Sequence, residues 1–267
     1  MIYVFGSTGM LGSYLHKYFA SSVGVNRTMV DANITDWRVT WQQLQDLRMA
    51  KGDVVLNATG ITNKVDAPVG DYLMVNSIFP RMLADYCELY DMHMIHISTD
   101  CVFSGKLGGY REDDMPDATD TYGLSKSLGE PRNCTVIRTS VIGENGRSKR
   151  DLLEWVRGQT SCNIFGYTNH YWNGITCLQY AEVCEKIIST NSYWKGVRHI
   201  FSPRAVSKCE LVETINEVYG CNNTIAPVEA SIYKDTTLSS WYHRDDLPDI
   251  KKQIIKQKDY LYGMSVQ

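Results

Sequence analysis

The sequence predicts an α/β protein in which a doubly wound parallel sheet is followed by a smaller C-terminal lobe. Through the first half of the chain, short apolar runs alternate with segments whose apolar residues have helical spacing. This alternation is typical of a parallel sheet covered by helices on both faces. The pattern changes from about Asp151, and residues 160–174 are rich in Asn, Gly, Tyr and Trp without clear periodicity, which indicates a second unit.

Apolar patterning assigns the elements in order. The first strand, Ile2–Phe5, runs directly into a glycine, and residues 11–20 follow with helical spacing. Further strands are predicted over residues 53–58, 94–98, 135–139 and 197–202. Helices are predicted over 71–90 (one long helix), 151–157 and 176–188. Ser207-x-x-Glu210 is a capping box that begins a last helix, which ends near Gly220.

Composition narrows the class of function. The 267 residues carry a net charge of −3, with 43% hydrophobic and 21% charged residues, which excludes a disordered or strongly cationic chain. Near-neutral charge gives no electrostatic case for nucleic acid, and no run of ~18 apolar residues indicates a membrane span. The eight cysteines include no CxxC pair, so we expect no metal site. We expect a soluble, cytoplasmic protein with no nucleic-acid or membrane partner.

The residues after the first strand have the pattern of a phosphate-binding turn: Gly6, Ser7, Thr8, Gly9, Met10, Leu11 and Gly12. Glycines at such a turn let the backbone approach a pyrophosphate, whose charge then lies on amides at the helix N-terminus. Between a strand and a helix, the motif predicts a dinucleotide site in a Rossmann-type domain. We therefore assign residues 1–150 to a dinucleotide-binding domain and residues 151–267 mainly to a substrate-binding lobe. Residues 176–203 or so are expected to return to the first domain.

The residue after the second strand distinguishes the two nicotinamide cofactors. A carboxylate there binds the ribose hydroxyls of NAD, whereas an arginine accommodates the 2′-phosphate of NADP. Arg27 follows the predicted strand Val23–Val25, and Asp31 lies close enough to compete for the position. The sequence therefore favours NADPH and leaves NADH as the alternative.

Two polar segments are candidates for catalysis. Tyr122 and Lys126 are four residues apart and share one face of a helix, and an ammonium beside a phenol lowers the pKa of the phenol. A phenol tuned in this way is a usable proton donor. Thr99, Asp100 and Cys101 follow a buried strand, at the sheet edge where ligands bind. The Thr99 hydroxyl can donate a hydrogen bond to a substrate carbonyl, and the Asp100 carboxylate can accept one from a sugar hydroxyl. The Cys101 thiol can either pack in the interior or act as a base.

Together these segments resemble the extended short-chain dehydrogenase/reductases and, more narrowly, the dTDP-4-dehydrorhamnose reductase-like family of nucleotide-sugar reductases. The resemblance is carried by GSTGMLGS at 6–13, NATGI at 57–61, Asn76, STDCVFSG at 98–105, YGLSK at 122–126 and RTSVIG at 138–143. It extends more weakly through the second half, so it covers nearly the whole chain.

The resemblance implies an activity and a set of roles. The activity is NADPH-dependent reduction of the C4 keto group of a nucleotide-linked 4-keto-6-deoxy sugar. By position, Gly6 to Gly12 would bind the cofactor pyrophosphate, and Ala58, Thr59 and Gly60 would line its adenosine and nicotinamide side. The catalytic trio would be Thr99, Tyr122 and Lys126, with Asp100 touching the sugar. The resemblance is also compatible with a homodimer.

Two alternatives stay open. Cys101 stands where related epimerase-reductases keep a catalytic cysteine, so the chain could be a bifunctional 3,5-epimerase/4-reductase. Such an enzyme needs a second acid/base group, and the chemistry of His170 makes it a candidate. We also expect His170 to contact the substrate. The other alternative is a non-catalytic NADP-binding regulatory subunit, against which the intact Tyr122 and Lys126 argue.

Overall fold

The structure, a computed structural model, describes residues 1–144, 151–159, 161–242 and 247–263. The strands are β1 (Ile2–Phe5), β2 (Val23–Val25), β3 (Val54–Asn57), β4 (His93–Thr99), β5 (Thr135–Thr139), β6 (Val141–Ile142), β7 (Asn163–Tyr167), β8 (His170–Trp172), β9 (Ile175–Thr176), β10 (Gly196–His199), β11 (Val206–Ser207), β12 (Thr224–Val228) and β13 (Lys234–Asp235). The α-helices are α1 (Met10–Tyr18), α2 (Trp37–Asp46), α3 (Val69–Leu73), α4 (Phe79–Leu89), α5 (Thr121–Leu128), α6 (Leu152–Gly158), α7 (Cys177–Ser189), α8 (Lys208–Tyr219) and α9 (Ile250–Tyr262).

Six parallel strands form the central sheet in the order β10-β5-β4-β3-β1-β2, which confirms the predicted α/β class. β2 lies on one side of β1 and β3 on the other, so the strand order reverses between β1 and β3. Ligands of open α/β sheets bind in the crevice beyond the carboxyl ends of the strands at such a reversal. The segments that follow β1 and β3 therefore meet where a ligand is expected.

Alternate residues of the strands enter two separate cores. Tyr3 and Phe5 of β1 pack in the core that contains helix α4, whereas Val4 between them packs with α1 and α7 on the opposite face. The same alternation recurs along the neighbouring strands, since successive side chains of a strand point to opposite faces. The sheet is thus covered on both sides, as the apolar runs predict.

The long helix predicted over 71–90 is wrong in one respect. The structure has three consecutive helical segments there, because a π-helical turn, Met74–Ile78, separates α3 from α4. Such turns are rare and are often found at functional sites. Apolar spacing does not reveal them, because the residues before and after the turn each keep helical periodicity.

A third core forms around Leu153, Trp172, Leu211 and Ile254, which come from α6, β8, α8 and α9. Strand β10, which follows α7, pairs with β5 in the central sheet. The predicted domain boundary at residue 150 lies outside the described residues, and the division itself stays a prediction. None of the helices described is long and apolar enough to cross a membrane.

Candidate active site

The glycine turn after β1 is packed so closely that side chains would not fit. Gly6 has a φ of +72°, and a Cβ there would lie 2.9 Å from backbone atoms of Ala58 and Thr59. A Cβ on Gly12 would lie 2.0 Å from the Gly6 carbonyl oxygen. Helix α1 begins after Gly9 with no side-chain cap and no acidic residue in its first turn. Its first amides are therefore open to an anion, and the turn fits a diphosphate.

A cleft of about 460 Å³ lies beside this turn, lined by Gly6, Thr8, Gly9, Arg27 and Asp31 among others. Arg27 and Asp31 form an ion pair, with Nε 3.3 Å from Oδ1, and the Arg27 side chain is 75% exposed. Both candidate ribose-binding residues therefore line the same cleft.

A second cleft, of about 290 Å³, continues from the first across the loop that follows β3. Gly9, Ala58, Thr59, Gly60 and Ile61 line both clefts. The second cleft also contains the predicted catalytic trio and Cys101, with Met10 and Leu11 from the glycine turn. Of the predicted turn residues, Ser7 and Gly12 are in neither lining, and the Ser7 hydroxyl lies 3.3 Å from the Val25 carbonyl oxygen.

Asn76 holds the shared loop against the catalytic helix. Its side chain exchanges two hydrogen bonds with the backbone of Ile61, at 2.8 and 2.9 Å, and donates to Ser125 Oγ at 3.0 Å. The residue is fully buried in the π-helical turn. A Cβ on Gly129 would lie 1.7 Å from the Asn76 carbonyl oxygen, so the end of α5 is in direct contact with this turn.

Tyr122 is brought to the cleft by the packing of the N-terminus of α5. The carboxylate of Asp120 caps the helix by accepting from the Gly123 amide at 2.9 Å. A Cβ on Gly123 would lie 2.3 Å from the Cys101 carbonyl oxygen, so only glycine lets the helix approach the segment after β4 this closely. The Tyr-Gly pair thus places the phenol beside Thr99 and Cys101.

The charges of the two helix residues differ from the expectation. Burial and the nearby Cys101 thiol raise the pKa of Tyr122, while a hydrogen bond with Thr99 lowers it less. Burial also lowers the pKa of Lys126 to about 8. The Lys126 ammonium donates to the Ile97 carbonyl at 2.7 Å. We expected Lys126 to lower the pKa of Tyr122. In the structure this pKa is instead raised, because burial of the phenol is the largest effect.

The segment after β4 ties the cleft to the C-terminal lobe. Thr99 Oγ1 accepts from the Cys101 amide at 3.1 Å and donates to Asp100 Oδ1 at 3.2 Å. The other carboxylate oxygen of Asp100 accepts from Thr236 of the lobe at 2.9 Å. Burial raises the pKa of the Cys101 thiol to about 12, assisted by the Asp100 carboxylate. The thiol is therefore protonated at neutral pH.

His170 lies away from the catalytic cleft, whereas three lysines lie in or near it. His170 lies on β8, where its Nε2 donates to the Ile232 carbonyl at 2.8 Å, and it is not among the residues that line the catalytic cleft. Lys64 does line this cleft, and Lys208 and Lys234 lie near Cys101 or Asp100. The sequence analysis singled out none of these lysines, because no motif contains them.

Comparison with known proteins identifies the family of the chain. The family model described as "RmlD substrate binding domain" matches residues 1–240. A dTDP-4-dehydrorhamnose reductase from Mycobacterium tuberculosis is 29% identical over 157 residues, which cover 54% of this chain and 51% of that protein. The chain thus matches only about half the length of that relative. A probable low-salt glycan biosynthesis reductase from Haloferax volcanii is 26% identical over 261 residues, covering 87% and 84% of the two chains.

Solved structures share the fold. The crystal structure of dTDP-4-dehydrorhamnose reductase from Bacillus anthracis in complex with NADP has a TM-score of 0.78 and 19% identity, over 97% of this chain and 98% of the other. At this identity the likeness establishes a common architecture. The family match covers nine-tenths of the sequence, from β1 to just beyond β13. The chain therefore belongs to the RmlD substrate binding domain family.

Proposed function

We propose that the chain reduces the C4 keto group of a nucleotide-linked 4-keto-6-deoxy sugar with NADPH. One observation carries the proposal: Thr99, Tyr122 and Lys126 converge in a cleft that is continuous with the cleft at the glycine turn. The names of the relatives, which are reductases of 4-keto sugars, support the same reaction. The NADP bound by the neighbour from B. anthracis supports the cofactor.

Tyr122 is the proton donor in this reaction. Its raised pKa leaves the phenol protonated at neutral pH but makes it a weaker acid than a free tyrosine, so the proton passes to the C4 oxygen only as the hydride arrives and negative charge develops there. Thr99, within hydrogen-bonding contact of the phenol, orients the carbonyl oxygen. Donors fixed in place before the reaction stabilise a developing alkoxide without the cost of reorganisation.

The cofactor would be held by backbone and by two cations. The amides at the start of α1 would bind the diphosphate, Arg27 the 2′-phosphate and Lys126 the nicotinamide ribose. NADPH, when bound, supplies the hydride that reduces C4. Lys126 donates one hydrogen bond to Ile97, and an ammonium has three donors, so two remain for the ribose.

The decisive experiment follows NADPH absorbance with dTDP- and UDP-4-keto-6-deoxyglucose, with and without an added 3,5-epimerase. Oxidation only with the epimerase identifies a dedicated 4-reductase. Tyr122→Phe should lower kcat by ~10²–10⁴ because general acid catalysis is lost. Tyr90→Phe, an exposed tyrosine at the end of α4, is the control and should change kcat less than about twofold. A fall of less than about tenfold in Tyr122→Phe would make the proton-donor role untenable.

The same experiment separates the two other candidates. A regulatory subunit would bind NADPH but oxidise none with any 4-keto sugar. A bifunctional epimerase-reductase would reduce the substrate without added epimerase, and its product would have inverted configuration at C3 and C5. The bifunctional enzyme remains a candidate because Cys101 lies in the catalytic cleft. The raised pKa of Cys101, about 12, suits an acid better than a base.

A further inference from the structure

Three lysines from separate parts of the chain lie in or near the catalytic cleft. Lys64 follows β3 and lines the cleft, with its ammonium 2.7 Å from Asp151. Lys208 is the first residue of α8, and its ammonium lies 5.3 Å from the ring centroid of Trp172. Lys234 begins β13, and its side chain packs against Gly105, where a Cβ would lie 2.7 Å from the lysine Cγ.

The electrostatic neighbours of Lys208 join these lysines into one cluster. Burial lowers the pKa of Lys208, and the positive charges of Lys64 and Lys234 lower it further. Asp100 and Cys101, on the catalytic segment, act in the opposite direction. Lys208 therefore lies within electrostatic reach of the other two lysines and of the catalytic segment.

The cluster has more positive charge than its own carboxylates balance. Within the described ranges, no carboxylate lies at salt-bridge distance from Lys208 or Lys234. Asp100 acts on Lys208 electrostatically, and its two oxygens already accept hydrogen bonds from Thr99 and Thr236. Lys64 is paired with Asp151, which leaves Lys208 and Lys234 with a joint charge of +2 that no carboxylate of the described ranges balances by direct contact. Two phosphates in diester linkage, each with one negative charge, match it.

We propose that Lys208, with Lys64 and Lys234, binds the diphosphate group of the nucleotide-linked substrate. The inference rests on the proposed function, because it assigns an end of that substrate to this cluster. The diphosphate would lie between the catalytic segment and α8, so that the sugar enters the cleft and the nucleoside extends over the lobe. Free sugars, which lack the two charges, would bind poorly.

Calorimetric titration of the full chain with dTDP and UDP tests the proposal without any turnover. Saturating NADP⁺ is present, so that the diphosphate cannot bind at the glycine turn. Lys208→Met should raise the Kd of the nucleoside diphosphate about 10- to 100-fold, since one charge-assisted contact is lost. Lys208→Arg keeps the charge and should stay within about threefold of the native Kd. Lys51→Met, 81% exposed and before β3 at the opposite sheet edge, is the matched control and should leave Kd unchanged.

Two further arms identify the bound group. Thymidine, which lacks phosphate, should bind the native protein and Lys208→Met alike, and inorganic pyrophosphate should compete with dTDP. Lys234→Met changes an exposed residue, so it should fold normally and still raise the Kd about 3- to 10-fold. Native affinity for dTDP and UDP in both variants would overturn the proposal. So would the absence of binding by the folded native protein.

Turnover separates this inference from the proposed function. A protein that binds dTDP through Lys208 but reduces no 4-keto sugar would retain the diphosphate site and refute the reductase. If the native protein and Lys208→Met reduce a 4-keto sugar with the same KM, the reductase activity would be established and the diphosphate site refuted. If both hold, Lys208→Met should raise KM and leave kcat nearly unchanged, because it removes binding common to the ground and transition states.

Discussion

Replacing Gly123 by alanine should slow the reaction although Tyr122 itself is untouched. The new Cβ would lie 2.3 Å from the Cys101 carbonyl oxygen and 2.5 Å from the Ala118 Cβ. The backbone at the start of α5 must therefore withdraw by about 0.7 Å from Cys101 merely to restore 3.0 Å. Tyr122 is the preceding residue and moves with it. A misplacement of ~1 Å at a reacting group costs about 10²-fold in rate, so we expect kcat to fall by that factor.

The assay is steady-state oxidation of NADPH with the accepted 4-keto sugar, together with the Kd of NADPH and the melting temperature. The Kd should change less than about threefold, because the glycine turn after β1 is not altered. Gly70→Ala is the control, since a Cβ there meets nothing within 4 Å and the residue lies in α3. It should leave kcat unchanged and stabilise the fold by about 0.5–1 kcal/mol. A kcat of Gly123→Ala within about threefold of the native value would refute the argument from close packing.

Three further predictions concern single side chains of the two clefts. Because the pKa of Lys126 is lowered to about 8, its ammonium loses a proton as the pH rises through that value, and kcat/KM should fall there. Arginine stays charged, so Lys126→Arg should abolish this fall, and a pH profile of kcat/KM that is unchanged in this variant would contradict the prediction. Arg27→Ala should raise KM for NADPH about tenfold and leave KM for NADH unchanged, whereas equal effects on both cofactors would exclude a phosphate contact. Cys101→Ser should keep at least about a third of kcat, with no solvent deuterium at C3 or C5 of the product in either protein. Deuterium that disappears with the substitution would establish the epimerase.

Local sequence patterns were sufficient where one segment determines the structure. The apolar run Ile2–Phe5 and the glycine after it are a strand and a turn, as predicted. Ser207 accepts from the Glu210 amide at 3.0 Å, and α8 ends at Gly220 with a φ of +62°, which confirms both predicted ends of that helix. In each case the residue type favours one backbone conformation regardless of distant contacts.

Features that depend on distant segments could not be predicted. Helix α2 was missed, because only Thr40 and Leu44 of its ten residues are buried and the apolar signal is weak. The stretch without periodicity contains β7 and β8, whose partners β12, β11 and β13 follow much later in the chain. Lys64, Lys208 and Lys234 likewise come together only through tertiary packing. The roles assigned to the predicted site residues stay predictions.

The π-helical turn at Met74–Ile78 has a consequence for chain length. A π turn contains one residue more than an α turn, and each residue of an α-helix advances the chain by ~100° about its axis. Deleting one residue here would convert the three helical segments into one regular helix and rotate α3 by about that angle. Tyr72, whose hydroxyl donates to the carbonyls of Thr62 and Val65, would then face away from the loop that carries Lys64. Substitutions in this turn can be accommodated by repacking, whereas insertions and deletions would misalign both clefts.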